Sequence, residues 1–141
     1  MPLAGICLAL AAAAAPAAPV FVPASHFTLA WTHSIEKVRW EEDYAVLPGP
    51  PPMLQALAAR VRGSAAGMEP PPDARLEGGW YHYQPAAALP DALRLTRSEF
   101  TADFTLCVQG DCRPMGHWLP SDNGITLLSA CAPPAGGGAP P

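Results

Sequence analysis

The sequence predicts an all-β fold, a single small sandwich or barrel of about seven or eight short antiparallel strands. Three observations carry this. Apolar and polar residues alternate along several short runs, as on strands with one buried face. Pro and Gly, 19 and 12 of 141 residues, punctuate the chain between those runs. Finally, Cys107 and Cys112 bracket Val108-Gln109-Gly110-Asp111, which reads as a tight hairpin.

Three segments make up the chain: an N-terminal hydrophobic stretch (1–25), a β domain (26–131) and a Pro/Gly-rich tail (132–141). The first has no charged side chain, and from Leu3 to Ala15 it is almost all Ala, Leu and Ile. Such a run falls short of the roughly 18–20 residues that span a bilayer as a helix. Small residues follow at Ala15-Pro16-Ala17 and Ala18-Pro19-Val20, so the segment reads as a secretory signal peptide. Its departure from that pattern is the absence of a charged n-region, and an uncleaved membrane anchor is the alternative. Cys7 follows Ile6 inside the apolar run, a poor setting for lipidation. The tail holds only Pro, Gly and Ala, offers no apolar surface to offset ordering entropy, and is expected to be disordered.

Within the domain, Phe27, Leu29 and Trp31 alternate with Thr28, Ala30 and Thr32, which predicts a strand. From Trp40 to Leu47 a second strand puts Trp40, Glu42, Tyr44 and Val46 on one side and Glu41, Asp43, Ala45 and Leu47 on the other. Pro48 to Pro52 then interrupts regular structure. Met53–Val61 is ambiguous, because Leu54, Leu57 and Val61 have helical spacing while Leu57, Ala59 and Val61 alternate; a strand over 57–62 is the reading adopted. Further strands are expected at Trp80–Tyr83, Leu93–Thr96, Phe104–Val108 and Cys112–Met115. A last pair, His117–Leu119 with Ile125–Leu128, would flank the turn Ser121-Asp122-Asn123-Gly124.

A two-residue turn at Gln109-Gly110 sets Cys107 directly opposite Cys112. Opposed residues of a non-hydrogen-bonded pair have α-carbons about 4.5 Å apart, near the lower limit for a disulfide. An oxidising, exported or periplasmic location favours that bond. Cys131 has no evident partner and is expected to be free or joined to another chain.

Eight basic and twelve acidic residues give a net charge of −4, without a Lys/Arg cluster. That disfavours nucleic acid and anionic membrane surfaces as partners. Polar and aromatic residues concentrate in the stretch from Trp31 to Tyr44. His33-Ser34-Ile35-Glu36 with Trp40-Glu41-Glu42, followed by Arg62-Gly63-Ser64-Ala65-Ala66-Gly67-Met68-Glu69-Pro70, resembles a bacterial family of small exported domains of unknown function. Members of that family are often encoded beside TAXI-type TRAP transporters. The resemblance covers most of residues 27–115, and implies TRAP transporter components as partners but no activity. The chain departs from it where Gly is expected near Ala65 or Ala66.

These motifs bear on several chemistries. Adjacent His33 and Ser34 point to opposite faces of a strand and cannot act as base and nucleophile; no catalytic residue is assigned. A turn over 34–37 would bring His33 to Glu36 as metal ligands, with Glu42 or His82 as a third. Gly63-Ser64 and Gly67 suit a loop whose N–H groups turn inward on an anion, with Arg60 or Arg62 clamping a carboxylate and Glu69 held by the prolines after it. The bland reading makes these residues a surface ion pair and a tight loop. The candidate ligand or partner surface is therefore His33, Ser34, Glu36, Trp40, Glu42, Arg62, Gly63, Gly67 and Glu69. The expected function is an exported accessory binding domain, with a small organic anion as one ligand and no cofactor; the alternative is a metal-binding protein or metal-dependent enzyme using His33 and Glu36.

Overall fold

A computed structural model describes residues 4–12, 19–32, 38–62, 74–85, 89 and 91–134. Eleven strands follow one another: β1 (Gly5–Leu10), β2 (Val20–Pro23), β3 (His26–Thr32), β4 (Arg39–Leu47), β5 (Met53–Arg62), β6 (Arg75–Glu77), β7 (Trp80–Tyr83), β8 (Leu93–Thr96), β9 (Thr105–Val108), β10 (Asp111–Pro114) and β11 (Ile125–Cys131). They build two antiparallel sheets, ordered β2-β1-β11-β8 and β10-β9-β3-β4-β5-β7-β6. The predicted all-β class and sandwich-like layering hold. The strand count is higher than expected because β1 and β2 lie where the sequence indicated a leader, and β6 where it indicated no element.

β1 is the largest of these differences. Gly5, Cys7 and Ala9 alternate with Ile6, Leu8 and Leu10, small against large, and the strand turns Ile6 and Leu8 inward, both fully buried. It pairs with β2 on one side and, over six residues from Gly5↔Cys131 to Leu10↔Thr126, with β11 on the other. A Cβ on Gly5 would run into the Val22 carbonyl oxygen and the Phe21 ring, so glycine is needed for the strands to approach. Cys7, on the outward side, forms a disulfide with Cys131. The expectation that Cys131 lacks a partner is corrected; its partner stood in the stretch read as a leader.

Ile6, Leu8, Leu95 and Leu128 of the smaller sheet meet Phe27, Leu29, Tyr44, Val46 and Leu106 of the larger to form the core. β5 is longer than expected, and its ambiguity has a local cause. The β4–β5 register slips by one residue between Asp43 and Tyr44, leaving Leu57 as the unpaired extra residue. Leu54 and Ala56 therefore share a face with Ala59 and Val61 across a phase shift that no single period describes.

At the β9–β10 hairpin the prediction holds in detail. Gln109 and Gly110 take positive φ values of 54° and 79°, Val108 faces Asp111, and Cys107 faces and is bonded to Cys112 with α-carbons 3.9 Å apart. The expected strand at His117–Leu119 does not form. Pro114 leads instead into a 3-10 turn, Met115–His117, where the Met115 carbonyl accepts the Trp118 and Leu119 N–H groups and buries the Met115 side chain.

Candidate functional site

Strand parity divides the acidic run. Glu41 and Asp43 stand on the outer face of the larger sheet, opposite Arg60 and Ala58 of β5. There Arg60 Nε donates to Glu41 at 2.7 Å and its Nη1 to Asp43 at 2.9 Å; Thr28 Oγ1 donates to Asp43 at 2.7 Å, and Arg39 Nε reaches Glu41 at 3.2 Å. The carboxylates that Arg60 clamps are thus the protein's own. Burial works against the Asp43 charge, but the hydrogen bonds from Arg60 and Thr28, together with the Arg60 charge, outweigh it and hold the carboxyl below its ordinary 3.8. A carboxyl depressed by folding adds stability above the ordinary value, and that stability drains away as pH falls through the lowered one. Urea midpoints measured between about pH 5 and 2 should fall for the wild type, and less steeply for Asp43→Asn, whose side chain does not titrate. Parallel curves would show that the network does not stabilise the fold.

Glu42 faces the other way, beside Leu29 of β3 and Ala59 of β5, on the face that covers the core. Its Oε1 accepts the Tyr44 hydroxyl proton. Burial raises the Tyr44 pKa strongly, and the hydrogen bond and charge of Glu42 raise it further; burial and then Glu42 raise that of Tyr83. Both phenols therefore keep their protons at neutral pH.

Around this carboxylate the aromatic residues are ordered by register. Trp31 and Trp40 are direct cross-strand partners and stack with centroids 6.0 Å apart; Phe104 tilts against Trp31 at 5.8 Å, and Tyr83 meets Trp40 edge-on at 6.5 Å. Trp40 Nε1 is buried with no hydrogen-bond partner among the described residues. A pocket of about 480 Å³ opens between the two sheets here, its lining including Trp31, Glu42, Tyr44, Leu93, Arg94 and Phe104. Aliphatic and aromatic walls with a few polar and ionisable groups at hand are what a small-ligand site needs.

Of the residues expected to form the site, Trp40 and Glu42 come together on this inner face. Arg62 lies elsewhere, its guanidinium 5.5 Å over the Trp80 ring. His33, Ser34, Glu36, Gly63, Gly67 and Glu69 lie outside the described residues. The strand ends Thr32, Arg39 and Arg62, which flank residues 33–37 and precede residue 63, lie at one end of the larger sheet, because Thr32 pairs with Arg39 and Trp40 with Val61. Two residues offered as third metal ligands stand on opposite faces: Glu42 pairs with Ala59, whereas His82 pairs with the next residue, Arg60. They cannot serve one ion. Among the described residues no group of three or more His, Cys, Asp or Glu is placed to hold a metal. Sequence reasoning missed Phe104 and Leu93 as pocket walls, since the packing of β8 across the larger sheet has no local signal.

Fold and site together define a small antiparallel sandwich carrying a carboxylate in an aromatic pocket between its sheets. The chain belongs to the family described as Domain of unknown function (DUF1850), whose model matches residues 27–115. No curated protein and no solved structure matches the chain. The matched region runs from β3 through β10 and contains Glu42, Tyr44 and both tryptophans; β1, β2 and β11 lie beyond it. Among the described residues no helix is long and apolar enough to cross a membrane.

Proposed function

We propose that this chain is an exported binding domain that holds a small ligand in the inter-sheet pocket beside Glu42, and that it serves a TRAP-type uptake system. One observation carries the binding reading. Of Glu41, Glu42 and Asp43, Glu42 alone is turned toward the core face, into a cavity walled by Trp31, Phe104, Leu29 and Leu93. Two disulfides support export, because such bonds persist in oxidising compartments. The place beside a TRAP system rests on the family resemblance of the two motifs.

A neutral aromatic probe tests the pocket. Added to the full, oxidised chain, 2-phenylethanol should shift the NMR resonances of Trp31 and Phe104 with a Kd on the order of a millimolar. Leu93→Trp fills the cavity from β8 and should weaken that binding about tenfold. Equal binding by the two proteins, or shifts confined to other residues, would sink the proposal.

A further inference from the structure

We infer that the inter-sheet pocket selects an organic cation: an ammonium group carried on an apolar body. The inference rests on the binding reading above and adds the charge of the ligand. It starts from an imbalance in the site. An ionised carboxylate has about four lone-pair sites for hydrogen bonds. Glu42 receives a proton donor from Tyr44, and among the described residues no Lys or Arg forms an ion pair with it.

Two arginines of the neighbouring strands are committed elsewhere. Arg39 and Arg60 pair with Glu41 and Asp43 on the far face of the same sheet. Arg94 of β8, between Leu93 and Leu95, is exposed and lines the pocket, but it forms no ion pair with Glu42. A half-buried charge without a counter-charge is costly in proportion to how far water is excluded, and a ligand that excludes water must itself supply the opposite sign.

The walls point the same way. Trp31 and Phe104 present ring systems whose negative faces attract cations, an effect that strengthens as the site is desolvated. An anion entering the pocket would meet the Glu42 carboxylate and the ring π-systems, both repulsive, and only the solvent-exposed Arg94 to attract it. The Tyr44 hydroxyl is already donated to Glu42, so it offers an anion no free proton. The organic anion weighed from the Gly-rich second motif would have to bind elsewhere on the molecule.

Three probes of like size and different charge decide the matter: phenethylammonium, 2-phenylethanol and 3-phenylpropionate, titrated by NMR into the full oxidised chain at fixed salt. Phenethylammonium should bind about tenfold tighter than the neutral alcohol, and 3-phenylpropionate weaker than either. In Glu42→Gln, which keeps the shape and an acceptor for Tyr44, the cation and the alcohol should bind within about twofold of each other. If the alcohol binds but the cation binds no better, or the carboxylate binds best, the inference is overturned while the pocket reading stands. If none of the three binds, both fall. The wild-type comparison is decisive even should Glu42→Gln fold poorly.

Discussion

A chain beginning at Pro19 is expected to lose its cooperative thermal transition. β1 contributes both neighbours' hydrogen bonds in the smaller sheet, joining β2 to β11, and its Ile6 and Leu8 are completely buried against the opposing sheet. Removing it strips β11 of its six-residue partner and exposes Leu128, the direct cross-strand partner of Leu8. Two buried aliphatic side chains alone are worth about 3–6 kcal/mol of burial, a large share of a small domain's net stability. The disulfide adds to this. Cys7–Cys131 closes a loop with a sequence separation of 124, against 5 for Cys107–Cys112. In the chain-entropy account those loops are worth about 5 and about 2 kcal/mol. Near-UV circular dichroism through a melt reads the result, with Leu8→Asp as the point substitution that should behave likewise by burying an unpaired charge. Intact mass of protein from an exported fraction should include residues 5–10. A shortened chain that melts within a few degrees of the full one would make the segment a leader after all.

Why this strand was hidden in the sequence is instructive. Its alternation is of size, Gly, Cys and Ala against Ile, Leu and Leu, with no polar residue to mark the outer face. A hydropathy reading sees an unbroken apolar run, and the Ala-rich stretch after it matches the small-residue signature of a cleavage region. The larger sheet was legible because its strands alternate in polarity. The division of β4, with Glu42 on one side and Glu41 and Asp43 on the other, followed from the alternation alone; which side faces the core is set by pairing with β3 and β5. What alternation cannot give is the partner across the sandwich. Leu93 on β8 and Phe104 in the segment entering β9 are brought to the pocket by a connection that crosses between sheets, and the bulge at Leu57 erased the phase of β5.

Arg97→Met is expected to destabilise the fold by about 3 kcal/mol, the low end of the cost of orphaning one partner of a buried ion pair, because Asp103 is part-exposed. Continuing the inward phase of β8 from Leu93 and Leu95 reaches Arg97, whose side chain is 1% exposed. Its Nε and Nη2 each donate to an Asp103 oxygen at 3.0 Å, and its Nη1 donates to Thr126 Oγ1 of β11 at 3.1 Å. Asp103 in turn accepts the Phe104 N–H at 2.9 Å and the Gly116 N–H at 2.8 Å. One guanidinium thus ties β8, β11, the segment entering β9 and the turn after β10. Phe104 is a wall of the pocket, so the network also sets the position of that ring. Arg97→Lys retains the charge but not the planar fork that spans both oxygens of Asp103 and still reaches Thr126. It should therefore fold with a reduced urea midpoint and bind 2-phenylethanol more weakly than the wild type. A lysine variant with unaltered midpoint and unaltered probe binding would show that charge alone holds Asp103, and that Phe104 is positioned by packing against Trp31.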